Sequence, residues 1–316
     1  MALKKVDFAA GFNKQSVASA LPGQWVDGDF VRFRYTAPEK IGGWQQLSVN
    51  QETVPGAARA QLAFTSLKGE RYTAIGTSQG LFIYYGEQFY DITPLDTAIT
   101  GATFDTFSSQ NNVTVNKTSH GLQVGRYVTF SAVTPPTGYS ATDFTTGAFE
   151  VLTVPNDNTF TIEMRVNATG AASASGAASI NPYEIVGPTF QTLGYGWGTY
   201  LWGDSTWGTE RGTSNVTLDP GNWSLDNFGE VLVATIFNGK TFTWDAGATN
   251  PRTVRASTST SGFTTTNNPT ATRFTLVSDR DRHLFHFGTE TTIGSASTQD
   301  PMFVRFSDQE NLDEYA

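Results

Sequence analysis

Leu62-Ala-Phe-Thr-Ser66, Tyr72-Thr-Ala-Ile75, Leu81-Phe-Ile-Tyr-Tyr85 and Phe89-Tyr-Asp-Ile92 follow one another with only short turns between them, at Lys68-Gly69, Ser78-Gln-Gly80 and Gly86-Glu87. Short runs of aromatic, aliphatic and β-branched residues bounded by such turns read as strands joined by hairpins. The stretch therefore predicts a four-stranded antiparallel meander. A second copy runs through Trp223-Ser-Leu225, Asp226-Asn-Phe-Gly229, Val231-Leu-Val-Ala-Thr235, Asn238-Gly239 and Thr241-Phe-Thr-Trp244. Its turn glycines lie ten residues apart, against eleven in the first copy. A third begins at Arg273-Phe-Thr-Leu-Val277, turns at Asp279-Arg-Asp281, continues as His283-Leu-Phe-His-Phe287 and resumes at Met302-Phe-Val-Arg-Phe306. Repeated meanders of about 40 residues are the blade pattern of a β-propeller. The fold class is read as all-β, with propeller-like four-stranded antiparallel blades.

One region interrupts the repeat. Between residues 100 and 181 stand Val113-Thr-Val115, Val124-Gly-Arg-Tyr-Val-Thr-Phe130, Gly147-Ala-Phe-Glu-Val151 and Asn158-Thr-Phe-Thr-Ile162. These carry their own turns and predict an inserted small β-barrel domain, followed by a small-residue tail, Ala168 to Ser179, that reads as a flexible return. The chain thus divides into an N-terminal docking segment (1–57), a first blade (58–99), the insert (100–181) and further blades (182–316). In the N-terminal segment Val31, Phe33 and Tyr35 alternate with Arg32 and Arg34, the pattern of a half-buried strand. Trp25 and Trp44 sit beside turns and are expected to be buried anchors.

Composition narrows the function. The 316 residues include no cysteine, which excludes a disulfide framework, a thiol nucleophile and a thiolate metal site. No stretch approaches the ~18 uninterrupted apolar residues of a membrane-spanning helix, and the first twelve residues lack the apolar run of a secretory signal. Net charge is -9. Residues 1–72 hold nine Lys/Arg and six Asp/Glu, so the remainder, with eleven and 23, stands at -12. A protein that grips phosphates needs the opposite balance.

His283 and His286 lie three apart in a strand, so they point to opposite faces and cannot share a metal. Asp279 and Asp281 form a carboxylate pair, but Arg280 and Arg282 flank them and Asp is ordinary in a hairpin turn. Gly76-Thr-Ser-Gln-Gly80 has the spacing of a nucleophile elbow, but its Ser78-Gln-Gly80 turn joins two strands and not a strand and a helix, so no elbow is expected there, and no Gly-rich phosphate loop occurs. No catalytic residue, cofactor or metal is expected. Trp197, Trp202 and Trp207 recur every five residues among glycines, a spacing that suits packing between blades or subunits, or a platform for a sugar.

Gly11-Phe12, Gly23-Gln-Trp-Val-Asp-Gly-Asp-Phe-Val-Arg-Phe-Arg34 and Pro38-Glu-Lys-Ile-Gly-Gly-Trp44 together resemble the N-terminal signature of bacteriophage tail hub or nozzle proteins of the packaged-DNA stabilisation type, from short-tailed double-stranded DNA phages. The run Gly194 to Gly208 and the ending Phe303 to Tyr315 are similar to segments of the same family. The insert, through His120-Gly-Leu122 and Asn158 to Ile162, resembles a small β-barrel of many phage structural proteins. The resemblance implies a virion tail component: a homo-oligomeric ring, hexameric in the family, around the DNA channel. Its implied partners are a tail adaptor or connector on the head side, a fibre, spike or needle protein on the other, and passing duplex DNA that is not tightly bound. The reading from another class is a propeller that binds or degrades host glycans.

Overall fold

The computed structural model describes residues 9–15, 17–43, 53–188, 220–258 and 267–313. The chain forms two compact units, Met1–Gln51 and Glu52–Ala316.

In the first unit β1 (Ala9–Phe12) pairs in parallel with β2 (Gln24–Trp25), and β3 (Val31–Arg34) forms a hairpin with β4 (Ala37–Lys40). Tyr35 and Thr36 turn that hairpin with positive φ at both positions, as a two-residue turn of matching twist requires. Phe33 is the unit's aromatic centre, with Phe12 edge-on at 5.2 Å and Trp25 at 6.3 Å.

The second unit opens with the predicted meander. β5 (Ala58–Thr65), β6 (Arg71–Thr77), β7 (Leu81–Tyr85) and β8 (Gln88–Asp91) form a four-stranded antiparallel sheet in chain order. One face, carrying Phe64, Tyr72, Ala74, Leu81 and Ile83, is buried.

The next strands are β9 (Ile99–Thr106), β10 (Asn112–Asn116) and β11 (Tyr127–Thr134), a one-turn helix α1 (Ala141–Thr145), then β12 (Phe149–Glu150), β13 (Thr153–Asn156), β14 (Thr159–Glu163) and β15 (Ala172–Pro182). They make one seven-stranded sheet in the order β12-β11-β15-β9-β10-β14-β13. It curls around its own core of Phe104, Phe130, Phe149 and Phe160, plugged by Phe144 of α1. The sheet is curled into a half-barrel, and its edge strands β12 and β13 do not pair with each other. His120 belongs to this core: its Nδ1 accepts from the Leu122 amide at 3.0 Å, and its ring meets Phe160 edge-on.

The small-residue tail is not a flexible return. It is β15, a central strand between β11 and β9. Its residues are small because backbone crosses close by. A Cβ on Gly176 would lie 2.6 Å from the Thr134 carbonyl oxygen and 2.8 Å from the Pro136 nitrogen.

β16 (Trp223–Phe228), β17 (Val231–Ile236) and β18 (Thr241–Asp245) form the second meander, and β19 (Phe274–Val277), β20 (Leu284–Phe287) and β21 (Val304–Phe306) the third. Each has three strands where four were expected. In the second sheet the fourth position is reduced to a single bridge between Thr243 and Ser257. Asp226-Asn-Phe228 continues β16 instead of turning, and the turn falls at Gly229.

The three sheets stack face to face, which is the propeller-like element of the fold. Alternation along β17 sends Leu232, Ala234 and Ile236 into the core shared with the first sheet. It sends Val233 toward Val277 and Leu284 of the third. Trp223 locks the first junction: its ring lies on Gly76, where a Cβ would be 2.6 Å away, and its Nε1 donates to the Thr77 carbonyl at 2.9 Å. The second junction is a buried hydroxyl seam in which Thr235 contacts Thr275 at 2.9 Å and the Thr275 amide donates to Ser224 Oγ at 3.2 Å.

Candidate functional site

Of the seven interface candidates Trp25, Arg32, Arg34, Trp44, Trp197, Trp202 and Trp207, three are described. Trp25 is half-buried rather than buried. Arg32 is exposed and pairs with Glu39 at 3.1 Å, and Arg34 is exposed with its guanidinium 5.4 Å from the Tyr35 ring centre. Trp44, Trp197, Trp202 and Trp207 lie outside the described residues. Asp279 and Asp281 occupy the exposed β19–β20 turn, so they stand at the surface and not in a cleft. His283 and His286 do fall on opposite faces. The His283 Nδ1 lies 2.7 Å from the Ser307 carbonyl oxygen, while His286 is fully buried within hydrogen-bond reach of Thr272. Burial, with the charge of Arg305 added, pushes the His286 imidazole down to about 3.

The least expected surface is the outer face of the third sheet. β19 buries Thr275 and Val277 and turns Phe274 and Leu276 outward, 50% and 45% exposed. β21 turns out Val304 and Phe306, 45% and 43% exposed. Register sets Phe274 opposite Phe287 and Phe287 opposite Val304, and Leu276 opposite Phe285 and Phe285 opposite Phe306. Six apolar side chains thus share one outward face, with Phe285 stacked between Phe287 at 6.1 Å and Phe306 at 5.9 Å. At ~200 Å² for a fully exposed aromatic, the bare area is on the order of 400 Å², the size of the largest patch a monomer carries and a mark of an interaction site. Any one of these residues alone would be unremarkable in sequence. The signal was the unbroken alternation in Phe274-Thr-Leu-Val277 and Val304-Arg-Phe306, which fixes a face without saying what covers it.

A second cluster ties the seven-stranded sheet to the stack. The chain leaves and returns side by side, with a Leu95–Tyr183 bridge and amides of Asp96 and Glu184 donating to the carbonyls of Pro182 and Pro94. Arg255 spans this neck. It donates to Asp91 at 2.8 Å and to the Thr93 carbonyl at 2.8 Å, and it covers the Tyr183 ring at 4.9 Å. The Tyr183 hydroxyl in turn donates to Asp91. Burial opposes the charged guanidinium, but Asp91 and Tyr183 outweigh it and hold Arg255 above the usual arginine range. Burial and the Asp91 carboxylate push the Tyr183 phenol well up. Arg126 pairs with Asp96 at 2.7 Å, and Lys240 with Glu184 at 3.0 Å. Beside the neck a cleft of about 520 Å³ is lined by Asp96, Glu184, Lys240, Arg255 and Asn268, whose Oδ1 has no hydrogen-bond partner among the described residues. Sequence reading missed the neck because its partners are remote in the chain and belong to no motif.

No group of His, Cys, Asp and Glu among the described residues is arranged to hold a metal ion, and no described helix is long and apolar enough to cross a membrane. No family model matches the chain, and no curated protein matches it. Among solved structures, one described as phage phi92 endosialidase matches 87% of this chain and 39% of its own, at 15% identity and a TM-score of 0.23. The chain spans about two-fifths of that protein's length, and a superposition this loose carries no argument about fold or function.

Proposed function

We propose that the protein is a structural component of a bacteriophage tail, a hub or nozzle subunit whose copies form a ring around the DNA channel, and that it catalyses no reaction. The observation that carries this reading is the outward apolar face of the third sheet, a patch of the size that often serves as an interaction surface. The N-terminal signature and the segments at 194–208 and 303–315, which resemble tail hub and nozzle proteins, supply the identity of the assembly. The acidic balance beyond residue 72 suits a wall past which DNA slides, because like charge repels phosphate. The basic-leaning N-terminal segment would dock onto an adaptor or connector, with a fibre, spike or needle protein at the other end.

Electron microscopy of the purified protein, with a host-glycan array run on the same sample, tests the reading. Closed rings with no glycan signal are the expected result. A monomer that binds or degrades a host polysaccharide would overturn it in favour of a glycan-directed propeller.

A further inference from the structure

We propose that the half-barrel is hinged at the neck and swings as one body against the stacked sheets, fastened there by ion pairs and not by apolar packing. The motion lies within the second unit and is open to a single copy as well as to a ring.

Packing leaves the two bodies independent. The half-barrel core and the core shared by the first two sheets have no residue in common. Every extensive contact between strands of the second unit lies either within the half-barrel or within the stack. Bodies joined without a shared apolar core move relative to one another by default, since no buried area holds them in a single arrangement. The chain crosses between them twice, at 94–97 and 182–184, where the Asp96 and Glu184 amides donate across to the Pro182 and Pro94 carbonyls.

Cationic side chains fasten this crossing from both sides. On the half-barrel, Arg126 pairs with Asp96 and donates to the Tyr183 carbonyl from Nε at 3.1 Å and Nη2 at 3.0 Å. From the stack, Lys240 reaches Glu184 and Arg255 reaches Asp91. Three cations thus balance three carboxylates, and every partner is partly open to water. Salt weakens such pairs, because at molar ionic strength the range of a charge falls to ~3 Å.

The surroundings give the half-barrel room. A cleft of about 600 Å³ separates its Val124–Tyr127 edge from Ser78 and Gln79 in the β6–β7 turn. Val124 and Ile185 stand in that cleft, 63% and 62% exposed. Swinging the half-barrel toward the first sheet narrows the cleft and takes both side chains out of water, which gives the motion a favoured direction.

The absence of cysteine allows paired spin labels to be placed in the full chain. Gln79→Cys with Val124→Cys spans the cleft. Two reference pairs stay within one body: Val124→Cys with Val166→Cys in the half-barrel, and Leu67→Cys with Gln79→Cys in the first sheet. Pulsed dipolar spectroscopy at low and at molar salt reads the distance distribution of each. Across the cleft a second distance is expected, its population rising roughly tenfold as salt screens three partly exposed pairs. Lys240→Met combined with Arg255→Leu should raise the same population at low salt, while both reference pairs keep one narrow distance. A cleft distance that stays single, unmoved by salt and by the double substitution, would overturn the hinge. Broadening of all three pairs together would overturn it too, because that pattern marks unfolding and not motion between bodies.

Discussion

Gly76 and Trp223 decide how closely the first two sheets approach, and the pair shows how a residue's value depends on what faces it. Gly76 lies in β6, where glycine is a poor strand former, yet the indole needs the space that a Cβ would fill. Gly76→Ala should therefore destabilise by about 1–3 kcal/mol through overpacking, and Trp223→Ala by about 3–5 kcal/mol through the cavity it leaves. Chemical denaturation of both variants checks this, and a neutral Gly76→Ala would show that the junction yields. His286 makes a second case. Its folded form stays neutral down to about 3, while the unfolded imidazole takes up a proton below about 6.5. The unfolded state binds more protons in that window, so His286 favours folding above pH 6.5 and loses this contribution as pH falls, by at most ~1.4 kcal/mol per pH unit. Melting curves from pH 7 to 4.5 should slope less steeply for His286→Gln than for the parent, although the variant starts lower. Identical slopes would contradict the buried, neutral histidine. The strand position of His286 was legible from alternation; its depth was not, because burial comes from the sheet packed above it.

At the scale of elements, local pattern and long-range pattern part company. The β5–β8 meander could be read strand by strand because hairpins are made by neighbours and marked by turn residues at Gly69, Gly80 and Gly86. β15 could not. Its Ala, Ser and Gly residues have the composition of a linker, and only the close passage of the chain around Thr134–Pro136 explains them. The third sheet lay between these cases: its alternation was plain, and its bare outer face could not be told from a covered one. The neck is wholly non-local, joining Asp91, Tyr183 and Arg255. Arg255→Leu would leave the partly buried Asp91 carboxylate without its cationic partner. The loss should be roughly 1.5–3 kcal/mol, the range for a hydrogen bond to a charged group. It should appear as earlier separation of the half-barrel from the stack in hydrogen exchange, with Ile92 and the Leu95–Tyr183 bridge exchanging first. Unchanged protection at these amides would show that the backbone bonds alone hold the neck.

For the whole molecule, charge and assembly give the sharpest expectation. On the proposed ring reading, the -12 balance beyond residue 72 should leave duplex DNA unbound at physiological salt. Gel shift and sedimentation at low and physiological salt check this. Tight binding that falls steeply with salt would contradict the sliding wall, and its loss on neutralising Lys4, Lys5 and Lys14 would move the DNA contact to the N-terminus. One further consequence comes from the order in which the sheets leave the ribosome. The first sheet ends at Asp91 and the second, which covers Phe64, Tyr72, Leu81 and Ile83, begins at Trp223. At about 5–20 residues per second, the intervening stretch keeps that face waiting for roughly 7–26 s. The half-barrel, whose first and last strands pair directly, can fold meanwhile and draw the two ends of this stretch together, so that the second sheet emerges beside the surface it must cover.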